Sequence, residues 1–473
     1  MRRLAAFVNA VSGRPRASST PGVPATISPM VRVPAGPAPH DGGRSEYAPF
    51  WSLPTRIAFR FVCAYFLQFA LCTGHKTILE KVPAVGHSVQ GAFNLPYLKI
   101  SEWIAIHMLH LSGAAVVPHF SGYADRALDW ITAAIMLAIA GVATLIWSGI
   151  DRRKAYPELW LWLRFLLRLT LIVPMLWYGS IKLWPIQIES PSLAVLNEPV
   201  GNMSPMTLLW TLLGSNHNYE RLCGLVETVC GLLLIFRRTA FSGALLAVVI
   251  MSNVVLFDLF FDVPVRLYAF NLLVMAVVVL APDLKSFFTL LWTRQPTALT
   301  SRWVPSATRP AARYSVLAVE FVFLLVFLKG FFNHAQYTRE AAGERNPPAI
   351  SGQWHLETSV AANDATPVPF YTPTHSPMTD LFLEPSGRDT IRAADQTLYG
   401  GGSYDADAKT LTLPTTLMAL VSYRIEQPDP SHLILHPAAP AEPELHLARV
   451  PLPASYPLYQ RSFHLFQEFS YER

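Results

Sequence analysis

Ionisable side chains inside long apolar runs are costly in lipid, so each is a candidate for binding or chemistry. Five runs of this sequence carry such residues. Tyr178-Gly-Ser-Ile-Lys182-Leu-Trp-Pro185-Ile-Gln187 sets a lysine before a proline and an amide after it. Glu220 and Glu227 are seven residues apart, two helical turns, and share a face. Asn253 and Asp258 occupy the next run, Arg266 and Asn271 the one after, and Glu320 and Lys329 the last. Tyr178, Lys182, Gln187, Glu220, Glu227, Asn253, Asp258, Arg266 and Glu320 would then line one polar pocket between helices. Such a pocket suits a quinone headgroup, a proton relay or a polar substrate. Which residue would act as a catalyst is not legible.

Plainer roles exist for several of these groups. Lys182, Asp258, Asp262 and Lys329 fall near the ends of their runs, where lipid headgroups solvate charge. Arg266 follows Asp262 by four residues and can pair with it, and Asn253 and Asn271 can join helices by hydrogen bonds. Glu227 and Glu320 lie well inside their runs. His107 and His110 read as headgroup-level polar residues rather than ligands. His432, His436 and His446, on neighbouring strands, read as a solvated face before a metal site. Cys63, Cys72, Cys223 and Cys230 all lie in apolar runs and read as small core residues. There is no G-x-S-x-G, Gly-rich phosphate loop, H-E-x-x-H or C-x-x-C. No metal site is expected.

The elements that must hold these residues follow from composition. Of 473 residues, 52% are hydrophobic and 15% charged, against about 25% charged in a soluble domain. Apolar runs at 57–72, 127–147, 159–184, 219–236, 239–261, 262–281 and 314–332 predict seven membrane spans. Arg164 and Arg168, near the start of the third, are placed to snorkel to the interface. Residues 74–102 read as a loop, and 103–117 as an interfacial or re-entrant helix. Seven spans with the N-terminus inside put the arginine-rich arm, Arg152-Arg153-Lys154, Arg237-Arg238 and the basic 283–313 loop in the cytoplasm. Counting 103–117 as a full span would break that agreement.

Residues 1–50, with eight prolines and six arginines, read as a disordered basic arm. From Asn333 onward the chain holds 9 Lys+Arg against 16 Asp+Glu, leaving 28 against 16 before it. An acidic soluble part argues against nucleic acid as a partner. Beyond about residue 348 the pattern alternates or nearly does, as in Trp354-His-Leu-Glu-Thr, Asp380-Leu-Phe-Leu-Glu, Thr410-Leu-Thr-Leu and His432-Leu-Ile-Leu-His. Pro385-Ser-Gly387, Gly400-Gly-Gly402, Asp405-Ala-Asp407 and Pro428-Asp-Pro430 read as turns. The expectation is a small antiparallel β-barrel or sandwich outside the cytoplasm. Its Gly352-Gln-Trp354 opening resembles the start of lipocalin-like barrels.

Tyr178-Gly179, Lys182, Pro185-Ile-Gln187, Ser204-Pro205, Tyr219, Gly224, Glu227, Gly231-Leu-Leu-Leu, Arg237-Arg238-Thr239 and Asp262-Val-Pro264-Val together resemble the DoxX-like multi-pass membrane proteins. The tail, with Arg461-Ser-Phe463-His464, Glu468 and Arg473, is similar to that of larger members carrying an appended β-domain. The resemblance implies a four-helix core at 156–295, after two spans at 51–155 and before a loop and last span at 296–333, with the β-domain at 348–473. It also implies a bacterial inner-membrane location and a quinone-linked redox role for the core. A transporter or flippase, and a non-catalytic assembly factor whose β-domain docks a membrane or periplasmic protein, are the other expectations.

Overall fold

The computed structural model describes residues 51–72, 86–112, 125–294 and 310–341, then 349–361, 370, 376–387, 389–396, 398–405, 407–414, 420–439, 442–453, 456 and 458. The arm at 1–50 and the tail residues Arg461 to Arg473 lie outside the described residues. The first part is helical: α1 (Leu53–Cys72), α2 (Gly86–His107), α3 (Ala127–Ile150), α4 (Pro157–Leu183), the single turn α5 (Leu193–Leu196), α6 (Pro205–Gly214), α7 (His217–Ile235), α8 (Ala240–Phe260), α9 (Arg266–Thr293) and α10 (Pro310–Ala341). Local signals start several of these. Pro157 opens α4 with Glu158 in its first turn, and Ser204 caps α6 by accepting from the Thr207 amide, with Pro205 behind it.

Among the described residues four helices, α3, α4, α8 and α9, are long and apolar enough to cross a membrane. Their outward faces carry large apolar side chains that no protein covers, such as Leu145, Val249 and Phe260, as lipid-facing helices require. A helix also forms at each of the other three runs read as spans. Among these, α7 carries Glu220, Arg221 and Glu227 within 19 residues.

Two expectations fail here. Residues 86–107 form one helix rather than a loop leading to an interfacial segment; 113–117 lie outside the described residues. The helix was hidden because its packing face is small and polar, with Gln90, Ser101 and Ala105 buried, while Phe93, Leu95, Ile100 and Trp103 point outward. Pro96 inside it broke the apolar pattern further. Nor do Arg164 and Arg168 snorkel: both are buried. Arg164 faces α9, where its Nε donates to the Val279 carbonyl (2.8 Å) and its Nη2 to Asp283 Oδ2 (2.5 Å). A second buried arginine, Arg60, donates to the Tyr156 hydroxyl, Ser148 Oγ and the Asp151 carbonyl, tying α1 to the junction of α3 and α4. Asn271 joins helices as expected, accepting from the Tyr65 hydroxyl on α1.

The second part is a closed barrel of eight antiparallel strands in sequence order, β1 (Gly352–Ala361), β2 (Met378–Leu383), β3 (Asp389–Ala393), β4 (Leu398–Asp405), β5 (Thr410–Pro414), β6 (Leu420–Asp429), β7 (His432–Pro437) and β8 (Pro443–Val450), with β8 pairing back onto β1. Closure leaves no strand edge unpaired. Period-two alternation fills the interior with Trp354, Leu411, Leu413, Leu433, Leu435 and Leu445. Trp354 donates its indole N–H to the Ile350 carbonyl (2.7 Å), and the Arg449 guanidinium stacks 4.6 Å from its ring. Gly400–Gly402 is not a turn but part of β4. A Cβ on Gly402 would come within 2.8 Å of Asp389 Cβ, where the β3–β4 register shifts. Glycine is therefore needed at this irregularity.

His436 contacts both Glu444 (2.7 Å) and Glu426 (2.8 Å), and His446 contacts Glu444 (2.9 Å). Burial raises the Glu444 pKa, but the bonds from His436 and His446 outweigh it and hold the carboxyl below its ordinary range. His432 pairs instead with Asp429. Carboxylates thus occupy these histidines.

Candidate functional site

The site begins with glycines. A Cβ on Gly224 of α7 would lie 2.7 Å from the Gly179 carbonyl and the Leu183 amide of α4, and one on Gly231 would strike Leu176. Side chains at these positions would force the helices apart, so α4 and α7 meet backbone to backbone. That approach sets Lys182 against Glu227. The ammonium donates to both carboxylate oxygens, at 2.6 and 2.8 Å, with the two side chains only 14% and 7% exposed. The Tyr178 ring stands 5.5 Å from the same nitrogen. An ammonium has three N–H donors; among the described residues, Glu227 takes two.

Two turns earlier on α7, Glu220 is buried. Its Oε1 accepts from the Ile188 amide (3.0 Å) and its Oε2 contacts His217 Nδ1 (3.3 Å). His217 Nε2 in turn meets Ser190 Oγ at 2.9 Å. Gln187 lines a neighbouring cavity of about 360 Å³ between the segment after α4 and the first turns of α6, with Ser190, Met206, Thr207 and Trp210 also on its wall.

Asp258 is buried near the end of α8, and its Oδ2 has no hydrogen-bond partner among the described residues. The charges of Asp125, Arg266 and Lys182 all reach it. Arg266 pairs with Asp262 (3.2 Å), as the spacing predicts, but also with Asp125 (2.9 Å). Asp125 further accepts the Arg266 and Leu267 amides, capping α9. Asn253 does not join the group; it is exposed on α8. Glu320 lies on α10, with its side chain outside the described residues.

The barrel is docked by residues that sequence reading passed over. Arg392 of β3 donates to the Ala194 carbonyl (3.2 Å) and pairs with Glu198 (3.1 Å), and Glu384 accepts the Leu193 amide (2.6 Å). Phe382, off the barrel core, is fully buried under the Arg392 guanidinium. The signal was present: Asp380-Leu-Phe-Leu-Glu breaks alternation with a large apolar residue on the polar face.

Comparison with known proteins adds one likeness. An 81-residue stretch, 17% of this chain, is 36% identical to Uncharacterized protein YwoB of Bacillus subtilis (strain 168). The chain spans about half that relative's length, 53%. No family model matches the chain, and no solved structure matches it.

Ser190, His217 and Arg392 are polar residues of these contacts that the sequence reading did not single out. Only His217 carried a local signal, its three-residue spacing from Glu220.

Proposed function

We propose that this chain is a seven-span, DoxX-like inner-membrane protein whose Lys182–Glu227 centre binds a quinone-type headgroup. In this reading the N-terminal arm and the Arg237-Arg238 turn are cytoplasmic, and the barrel is periplasmic. The observation that carries it is the Lys182 ammonium, bonded twice by Glu227 and partly exposed. Its remaining N–H suits a carbonyl oxygen, and the Tyr178 ring beside it offers an aromatic face. Quinones accept hydrogen bonds and stack on rings, so the residues present fit such a group. When bound it would supply two-electron, two-proton chemistry. The chain's own part is to orient the headgroup through Lys182 and to hold a proton on the Lys182–Glu227 pair.

Native mass spectrometry of gently purified protein tests this. Wild type is expected to retain a quinone-mass adduct that Glu227→Ala loses at least tenfold, with membrane insertion unchanged. Equal retention by both proteins would remove the pair from the site. A transporter is the second reading, favoured by buried Asp258, whose Oδ2 has no hydrogen-bond partner among the described residues; solute flux in proteoliposomes without redox change would mark it.

A further inference from the structure

Ser190, His217 and Glu220 have an arrangement that quinone binding does not use. Glu220 is fully buried and, when ionised, can only accept hydrogen bonds. With Glu220 ionised, its contact with His217 Nδ1 at 3.3 Å puts the imidazole proton on Nδ1. Nε2 is left as an acceptor, and the Ser190 hydroxyl lies 2.9 Å from it. The Ile188 amide holds the other Glu220 oxygen at 3.0 Å, so the carboxylate cannot swing away. Nucleophile, base and orienting carboxylate thus follow one another in hydrogen-bond sequence, and such a set is recognised by geometry rather than by position in the chain.

Ser190 lines the cavity of about 360 Å³, a volume in the range of small-molecule sites. Met206 and Thr207, in the first turn of the ten-residue helix α6, line it as well. The N-terminal end of that helix therefore borders the same space. Trp210 adds an aromatic wall.

We propose that this cavity is an esterase site for carboxylic esters, with Ser190 as nucleophile, His217 as general base and Glu220 as positioning residue. Ser190 Oγ forms a bond to the ester carbonyl carbon as its proton passes to His217 Nε2. The carbonyl electron pair moves onto oxygen, then returns to expel the alkoxide, which takes the proton from His217 and departs as the alcohol. Water, deprotonated by His217, then attacks the acyl-serine. The acid leaves, and the proton returns to Ser190. This inference does not depend on the quinone reading of Lys182 and Glu227.

The test uses the full chain in detergent micelles, a fluorophosphonate probe and p-nitrophenyl butyrate. Wild type is expected to carry the probe on the Ser190 peptide and to hydrolyse the ester. Ser190→Ala should lose both. His217→Ala should slow labelling at least tenfold with an unchanged melting temperature. Glu220→Gln should slow it similarly, while Glu220→Asp, which keeps an acceptor for Nδ1, should restore most of the rate. Absence of a Ser190 adduct, under conditions that fully label a control serine esterase, would overturn the proposal. So would labelling in His217→Ala at the wild-type rate.

Discussion

Replacing Asp283 with alanine is expected to destabilise the helical part by about 3–5 kcal/mol, the range for removing one partner of a buried ion pair. Arg164 and Asp283 are each about 1% exposed, so neither charge can turn to water when its partner is lost. Arg164 would keep the Val279 carbonyl, which solvates its Nε but offsets none of its charge. Reversible unfolding in mixed micelles should report the loss. The double substitution Arg164→Met with Asp283→Leu is expected to recover most of it, because two apolar side chains of similar size need no desolvation. If the single and double variants were equally unstable, the loss would come from packing rather than from an unpaired charge.

Trp354→Ala should cost the barrel a similar amount, about 3–5 kcal/mol for a large aromatic side chain lost from a core. Three contributions vanish together: the indole volume at the closed end of β1, the hydrogen bond to Ile350, and the face on which Arg449 stacks. Because β1 pairs with both β2 and β8, loosening it weakens closure. Amide hydrogen exchange in the full chain should accelerate across β1, β2 and β8 while the amides of α4 and α7 keep their protection. Uniform acceleration through the helices as well would mean that barrel and helices unfold as one unit.

How much could be read from sequence differed with the kind of signal. The apolar runs that became α3, α4, α8 and α9 were legible because each holds a long stretch of high hydropathy with few charges. Helix α2 was not, since its buried face is Gln90, Ser101 and Ala105 and its apolar face points outward. Glu227 could be proposed from its depth within an apolar run and Lys182 from its place before Pro185, but their pairing depends on Gly179 and Gly224 bringing two helices into contact. Arg164 was misplaced for a related reason. A charge near a helix end can reach the headgroups or face a partner, and only the neighbouring helix decides which. Asp283, just after Pro282, reads in the sequence as the start of the basic 283–313 loop rather than as that partner. Ser190 and His217 lie 27 residues apart, and nothing local marks Ser190.

Orientation is the claim on which the rest of the account turns: the Lys182–Glu227 centre and the barrel share one side of the membrane, opposite the basic turns. Single-cysteine labelling with a membrane-impermeant maleimide in intact cells tests it most directly, using Arg238→Cys and Glu426→Cys in a background lacking the four native cysteines. The barrel position is expected to react in intact cells, and the Arg237-Arg238 turn only after the membrane is broken. Reaction of both positions from outside, or of neither, would contradict the account.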